Sequence, residues 1–303
     1  MIEIELTQPS FLCKSSLNVW NNPDFMQTVA DISDLKPYHL VCYKGESVVS
    51  CLPLYEKKVF GRKICKHPLL SYYQGLNLWL EDNSAPARRL LDALQITQTI
   101  AKYLSCRYKV IRHILSPETY DVRGFLWNNM QAIPSYTFIH NFQNNIIPLS
   151  DERKKITLAE KQDYTFEEEM NIEEFIHLMK LMNVKKRWQP GLSYQDLADF
   201  IRILHTAGIL RQLNLKKDGR IVSSNIILQD CAKAYTIFRA TEIEALKKGA
   251  SSLHTVKLIE FLKQENLEEL DFCGANVSDI ARFKAAMDLQ LKVFFKFVLH
   301  YRI

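Results

Sequence analysis

Residues 209–241, ILRQLNLKKDGRIVSSNIILQDCAKAYTIFRAT, decide the fold of this chain. Three runs rich in aliphatic and β-branched residues are separated by turn signals: 209–215, 221–228 and 234–241. The dipeptide Asp218-Gly219 is a strong signal for a two-residue hairpin turn, in which both central residues have a positive φ angle. The segment therefore predicts three consecutive antiparallel strands.

Helix signals flank these strands on both sides. Ser193, with Asp196 three residues later, fits a capping box, and Gly208 is a signal for the end of that helix. An earlier helix is predicted to begin at Asn171, with Glu174 in the matching position. After the three strands we expect a helix, a strand, a helix and a strand, at residues 252–264, 267–273, 278–287 and 292–300.

The first half of the chain follows a shorter version of the same order. We expect a helix, a hairpin, further strands, a second helix and a strand, at residues 11–32, 38–56, 71–80, 85–105 and 108–115. The repeated order predicts an α/β (α+β) chain of two tandem domains, 1–145 and 146–303. Each domain should have a mixed, mostly antiparallel sheet that is flanked by helices.

The composition is that of a folded globular chain. The 303 residues are 47% hydrophobic and 24% charged, which is enough to build two cores of ordinary domain size. The net charge of +5 is weaker than the basic face of a dedicated DNA-binding protein, so we expect no DNA partner.

The cysteines and the hydrophobic runs point to a reducing compartment. The seven cysteines are scattered and include no C-x-x-C pair, which favours neither a disulfide framework nor a zinc site. We find no signal-peptide pattern and no run of about 18 apolar residues. We therefore expect a cytoplasmic protein without a membrane span and without a bound metal.

Several strings resemble the FemAB-like family, whose domains have the GNAT-type N-acyltransferase fold. The matching strings are residues 67–75 (HPLLSYYQG), 136–142 (YTFIHNF), 149–161 (LSDERKKITLAEK), 270–274 (LDFCG) and 279–284 (DIARFK). The sequence departs from the family pattern at residues 286–288, where Ala-Met-Asp replaces a Phe-Gly-Gly turn. Lys154-Lys155 also replaces a pair of arginines.

The resemblance implies N-acyl or aminoacyl transfer to a small-molecule or peptide amine, by direct attack in a ternary complex. The donor would be an acyl coenzyme A or an aminoacyl-tRNA. Residues 242–252 (EIEALKKGASS) contain a single glycine, which argues against conventional coenzyme A binding, and we expect no tightly bound cofactor. The stretch 171–208 lacks the coiled-coil arm of the Fem ligases, which argues against aminoacyl-tRNA.

Two other functions remain open from the sequence. The chain could be a GNAT-fold binding protein that no longer catalyses a reaction, since fold alone does not fix function. A nucleic-acid-binding protein without catalysis would need a contiguous basic face, which the sequence does not show.

Three residues of the predicted cleft are candidates for the chemistry. Arg239 is a cation in an otherwise apolar strand and could clamp a carboxylate or phosphate; the alternative is an ion pair with a nearby glutamate. By alternation, Tyr235 should share its face. Asp271 could act as a base or orient a substrate amine, or it could be a structural partner of Arg282 or Lys284.

Two further groups of residues are candidates for binding. A donor or anion could lie at the start of the following helix, against Lys247, Lys248, Gly249, Ser251 and Ser252. A substrate groove could be lined by Tyr72, Tyr73, Gln74, Trp188, Arg282 and Lys284. The alternatives are an ordinary strand–helix connection for the first group and core positions for the aromatic residues of the second.

Overall fold

The computed structural model describes residues 2–10, 17–81, 84–186 and 192–300. The chain divides into two compact units: unit 1 comprises Met1–Tyr136 with Val293–Ile303, and unit 2 comprises Thr137–Lys292. The sequence placed the border after residue 145 and kept the C-terminal strand in the second domain. The end of that strand is grouped with unit 1 because its residues 296–300 pair with residues 110–114.

Unit 1 is built on a mixed sheet. Its helices and strands, in chain order, are β1 (Ile2–Thr7), α1 (Pro23–Ser33), β2 (Lys36–Lys44), β3 (Ser47–Val59), β4 (Arg62–Cys65), β5 (Asn77–Leu78), α2 (Pro86–Arg107), β6 (Val110–Ile114), α3 (Arg123–Leu126) and the first part of β7 (Gln131–Asn141). The strand order is β1-β2-β3-β4-β6, followed by the last strand of the chain, and β5 pairs with β3. The pairing of β4 with β6 is parallel, and the other pairings given for this unit are antiparallel.

Two predictions for unit 1 were wrong in detail. The predicted helix 11–32 is observed as an α-helix only from Pro23, where the Asn22 side chain accepts hydrogen bonds from the first-turn N–H groups of Asp24 and Phe25. Its residues 11–16 lie outside the described residues, and residues 17–22 contain a single 3-10 turn at Val19–Asn21. The run 71–80 forms a strand only at Asn77–Leu78. The predicted helix at 85–105 is confirmed by α2.

Unit 2 is built on its own group of strands and helices. It comprises the end of β7, followed by α4 (Ser150–Glu160), β8 (Thr165–Glu168), α5 (Ile172–Lys186), α6 (Tyr194–Thr206), β9 (Leu210–Lys217), β10 (Arg220–Gln229), β11 (Lys233–Thr241), α7 (Ile243–Lys247), α8 (Ala250–Leu262), β12 (Glu269–Asp271), α9 (Ser278–Ala286) and the start of β13 (Gln290–His300). The strand order is β7-β12-β11-β10-β9-β8. Only β11 and β12 run parallel among the pairings given for these strands.

The local signals of unit 2 are confirmed. Ser193 and Asp196 form the complete capping box of α6. Asp218 and Gly219 have φ angles of 51° and 76°, as a hairpin turn of the predicted type requires. The short edge strand β8 was not anticipated, since its sequence TFEE carries little apolar signal.

Helices cover both faces of the unit 2 sheet. On one face the Phe238 ring of β11 lies 6.4 Å from the rings of Phe175 in α5 and Phe200 in α6. On the other face Leu258 and Leu262 of α8 belong to a core cluster that also contains residues of β9, β10 and β12. The two sides of the sheet therefore have separate hydrophobic contacts. None of the described helices in either unit is long and apolar enough to cross a membrane.

Candidate functional site

Strands β11 and β12 separate after a short parallel pairing. They pair only at Lys233–Glu269, Ala234–Leu270 and Tyr235–Asp271. Strand β11 continues to Thr241, whereas β12 ends at Asp271. The chain then turns at Cys273 and Gly274, whose φ angles are 42° and 78°. We call the region between residues 236–241 and residues 272–274 the β11–β12 opening.

A β-bulge lies in β11 beside this opening. Thr236 pairs with Ile227 and Phe238 with Ile226, so Ile237 is the extra residue. Bulges re-aim side chains and are common next to active sites. The prediction that Tyr235 shares the face of Arg239 was wrong, because the extra residue shifts the alternation. Thr236 takes that place, and Tyr235 shares the face of Phe238.

Arg239 is partly buried at the β11–β12 opening. Its Nε donates to Asn225 Oδ1 at 2.6 Å and its Nη1 donates to Thr255 Oγ1 at 2.8 Å. Its Nη2 is buried and has no hydrogen-bond partner within the described part of the chain. Burial lowers the pKa of this guanidinium to about 10. No ion pair to Arg239 is found among the described residues, so the glutamate pairing considered from the sequence is absent there.

Hydroxyl groups and one imidazole form a network beside Arg239. Its hydrogen bonds join His254 Nδ1 to Ser223 Oγ at 2.8 Å, Ser223 Oγ to Thr241 Oγ1 at 2.8 Å, and Thr241 Oγ1 to Ser251 Oγ at 3.3 Å. Burial, and to a lesser degree the charge of Arg239, hold the pKa of His254 well below its usual value. This imidazole is therefore neutral at physiological pH.

Asp271 and Lys284 fix the turn that ends β12. The Asp271 carboxylate accepts hydrogen bonds from Thr137 Oγ1 at 2.5 Å and from the backbone N–H of Cys273 at 2.7 Å. The Lys284 ammonium donates to the carbonyl oxygens of Phe272, Cys273 and Gly274 at 2.6, 2.9 and 2.6 Å. Burial lowers the pKa of Lys284 to about 8. The motif strings LDFCG and FK thus meet in one turn.

The N-terminus of α8 is covered by α4. Gly249 and Ser252 are buried, and Ser252 Oγ donates to the buried carboxylate of Glu152 at 2.6 Å. Glu152 also accepts from Lys155 Nζ at 2.6 Å. A carboxylate of the chain itself thus lies where the sequence placed an external anion, which disfavours pyrophosphate binding at this helix end.

The remaining members of that predicted anion site have different surroundings. Lys247 and Lys248 are exposed, and Lys247 pairs with Glu244 at 2.8 Å. Only Ser251, through its hydrogen bond to Thr241, joins the network beside Arg239.

Two of the groove residues predicted in unit 1 belong to its core. In unit 1, Tyr73 is fully buried, and its ring lies 5.3 Å from Trp20 and 5.1 Å from Phe294. Gln74 is buried too, and its Oε1 accepts from His67 Nδ1 at 2.9 Å. Tyr73 and Gln74 are therefore core residues, and for Tyr73 this is the alternative that the sequence left open. Tyr72 is partly buried.

The groove candidates of unit 2 have different surroundings. Arg282 is exposed on α9, while Lys284 of the same helix is buried in the turn after β12. Trp188 lies outside the described residues. The helix therefore presents one of its two basic candidates to solvent and the other to backbone carbonyls.

Sequence reasoning missed Asn225, His254, Thr255 and Glu152. Two signals could have found the first three. Ser223 and Asn225 are polar residues at alternate positions of an apolar strand, and His254 and Thr255 follow Ser251 at helical spacing. Glu152 carried no local signal, because its burial results from the packing of α4 on α8.

The comparisons with known proteins agree with this architecture. Residues 150–285 match the family described as the acetyltransferase (GNAT) domain. No curated protein matches the sequence significantly. FemX is 12% identical, with 93% of each chain covered and a TM-score of 0.70.

Two other solved structures are also similar. L-PGS from Bacillus licheniformis is 12% identical, covering 92% of this chain and 88% of that one, with a TM-score of 0.55. A tandem GNAT protein from the clavulanic acid biosynthesis pathway is 9% identical, with 98% of both chains covered and a TM-score of 0.51. Residues 150–285 of the second unit are therefore similar to the GNAT acetyltransferase domain, and the chain shares its fold with FemX and with this tandem GNAT protein.

Proposed function

We propose that this protein is an N-acyltransferase that joins an acyl or aminoacyl group to an amine at the β11–β12 opening of unit 2. The observation that carries this proposal is the separation of the two parallel strands after Tyr235 and Asp271, with Arg239 beside the gap. The GNAT match spans all the elements that form this opening.

The opening offers what acyl transfer needs. Attack of an amine on an acyl carbonyl builds negative charge on the carbonyl oxygen, and pre-oriented N–H donors stabilise that charge. The Arg239 guanidinium is held by Asn225 and Thr255, and its Nη2 carries two N–H bonds that have no partner among the described residues, so one of them can serve as such a donor. From Thr236 onward the facing edge of β11 has no β12 residue opposite it.

Asp271 and Lys284 take supporting roles in this proposal. The carboxylate of Asp271 is engaged by Thr137 and by the Cys273 N–H, and Lys284 binds three carbonyl oxygens. Together they fix the turn that forms one side of the opening. We therefore assign these residues to positioning, and Arg239 to contact with the reacting groups.

The donor in this proposal is not a conventionally bound acyl coenzyme A. In that binding mode, backbone N–H groups at a helix N-terminus hold the pyrophosphate. At α8 the buried Glu152 carboxylate and the α4 backbone occupy this place. The acceptor is a small-molecule or peptide amine, which attacks the donor directly in a ternary complex.

A mass-spectrometric assay tests the proposal. The purified full chain is incubated with isotope-labelled acyl-coenzyme A thioesters and, separately, with aminoacyl-tRNA, each with a panel of amino acids, peptides and amino sugars. We expect a new amide product whose yield falls about a hundredfold or more in Arg239→Met, since an oxyanion donor is lost. The matched control Arg202→Met changes an exposed arginine that pairs with Asp199 and should retain the product.

Two outcomes would go against the proposal. If no donor is consumed with any amine, the chain is better explained as a GNAT-fold binding protein. If Arg239→Met forms product at the rate of Arg202→Met, the reaction occurs away from the β11–β12 opening.

A further inference from the structure

We propose that Arg239 and Asn225, on the α8-covered face of β11 and β10 beside the β11–β12 opening, recognise a carboxylate group of the substrate. This inference deepens the proposed function and rests on it for the role of the bound molecule. The substrate class is then a carboxylate-bearing amine or acyl group, such as an amino acid or the end of a peptide.

The two side chains form a pre-oriented pair. Asn225 of β10 and Arg239 of β11 are direct cross-strand neighbours, and the bond from Arg239 Nε to Asn225 Oδ1 fixes both groups. Thr255 of α8 holds Arg239 Nη1 from the adjacent helix. These contacts leave Arg239 Nη2 and Asn225 Nδ2 as neighbouring donors.

Both remaining donors are buried and lack an acceptor. Neither Arg239 Nη2 nor Asn225 Nδ2 has a hydrogen-bond partner among residues 2–10, 17–81, 84–186 and 192–300. A buried donor without an acceptor is costly, and more so when it is charged. A ligand with two acceptor oxygens would satisfy both, and a carboxylate presents two such oxygens in one plane.

The local charge favours an anionic group. Arg239 and Lys284 are two cations within electrostatic range of each other, and Asp271 is the carboxylate that acts on Lys284. His254 contributes no charge, because burial keeps it neutral. Arg239 has no carboxylate in ion-pair contact among the described residues, so its charge suits an anionic group such as a carboxylate.

The test measures binding without turnover. The full chain is labelled with ¹⁵N-arginine, and the Arg239 Nε–H signal is assigned from its loss in Arg239→Met. N-acetylglycine is titrated against its neutral amide, N-acetylglycinamide, with inorganic phosphate as a third probe. We expect a saturable shift with N-acetylglycine at a dissociation constant of about 10 mM or tighter, and at least about tenfold weaker binding of the amide.

The Asn225→Asp variant is titrated in the same way as a second part of the test. The new carboxylate would pair with Arg239 and fill the place of the ligand, so the folded variant should no longer bind N-acetylglycine. Arg202→Met should bind as the wild type does, since Arg202 is exposed and pairs with Asp199.

The outcomes separate this inference from the proposed function. Equal binding of acid and amide, stronger binding of phosphate, no saturable shift, or unchanged binding in folded Asn225→Asp would each overturn the carboxylate assignment. If one of these results is obtained and amide products still form on amines without a carboxylate, the acyltransferase proposal stands and the carboxylate assignment alone fails. If N-acetylglycine binds as expected and no product forms with any donor, the carboxylate site stands and the acyltransferase proposal fails.

Discussion

Gly249 occupies a position where a side chain would be doubly unfavourable. Its φ angle is 81°, and a Cβ atom there would overlap the backbone carbonyl of Lys155 in α4. We expect Gly249→Ala to lower the free energy of unfolding by about 2–5 kcal/mol, combining left-handed strain with the clash. Chemical denaturation measures this.

Gly208→Ala is the matched control for that experiment. Gly208 has a similar φ angle of 73°, but nothing lies within 4 Å of the position that a Cβ atom would take. The Gly208→Ala variant should lose only the free energy that corresponds to left-handed strain, about 1–2 kcal/mol of unfolding free energy. Equal losses in the two variants would show that α4 does not press on Gly249.

His113 gives unit 1 a defined sensitivity to acid. It is buried, and neither ring nitrogen has a partner within the described residues. Burial, with a smaller effect of His67, lowers its pKa from 6.5 to about 3. As the pH falls from 6.5 towards 3, the unfolded chain binds a proton that the folded chain does not, so stability is lost.

Replacing this histidine removes that part of the acid sensitivity. Between pH 7 and pH 4.5 the His113→Phe variant should lose about 2–3 kcal/mol less unfolding free energy than the wild type. Urea denaturation at the two pH values measures both losses. Identical losses in the two proteins would contradict the neutral, buried state of His113.

At the scale of elements, the turn after β12 is held from α9. Lys284→Met would leave the carbonyl oxygens of Phe272, Cys273 and Gly274 without their donor. We expect a loss of about 2–4 kcal/mol in unfolding free energy, which thermal and urea unfolding would detect. Arg282→Met on the exposed side of the same helix should change stability by less than about 0.5 kcal/mol. A stable Lys284→Met variant would show that this lysine does not fix the turn.

Element signals in the sequence predict local structure well and long-range structure less well. The Ser193 capping box and the Asp218-Gly219 turn depend on neighbouring residues, and both were predictable. The bulge at Ile237 was not, because it depends on pairing between β10 and β11. Because strict alternation takes no account of this bulge, it placed Tyr235 on the face of Arg239 rather than on the face of Phe238.

The candidate site was predictable in part. Arg239 stood out as a cation in an apolar strand, and the structure places it at the β11–β12 opening. Asn225 and Thr255, which hold its guanidinium, come from a different strand and a helix. Tyr73 was misjudged since strand-forming aromatic residues suit a groove and a core equally well; in unit 1 it is core.

At the scale of the whole molecule, the chain should bind acetyl coenzyme A weakly or not at all. The Glu152 carboxylate and the α4 backbone lie at the α8 N-terminus, where a pyrophosphate would otherwise meet backbone N–H groups. Calorimetric titration of the full chain should give no dissociation constant tighter than about 10 μM, or −7 kcal/mol. Tighter binding would show that α4 moves aside or that the cofactor lies elsewhere.

The most direct test of the acyltransferase account is a crystal structure of the full chain with N-acetylglycine, which resembles the product of amine acylation. The account predicts ligand density between residues 236–241 and residues 272–274, with a carboxylate oxygen within hydrogen-bond distance of Arg239 Nη2. A ligand bound away from this opening, or an opening filled by side chains of the protein, would contradict it.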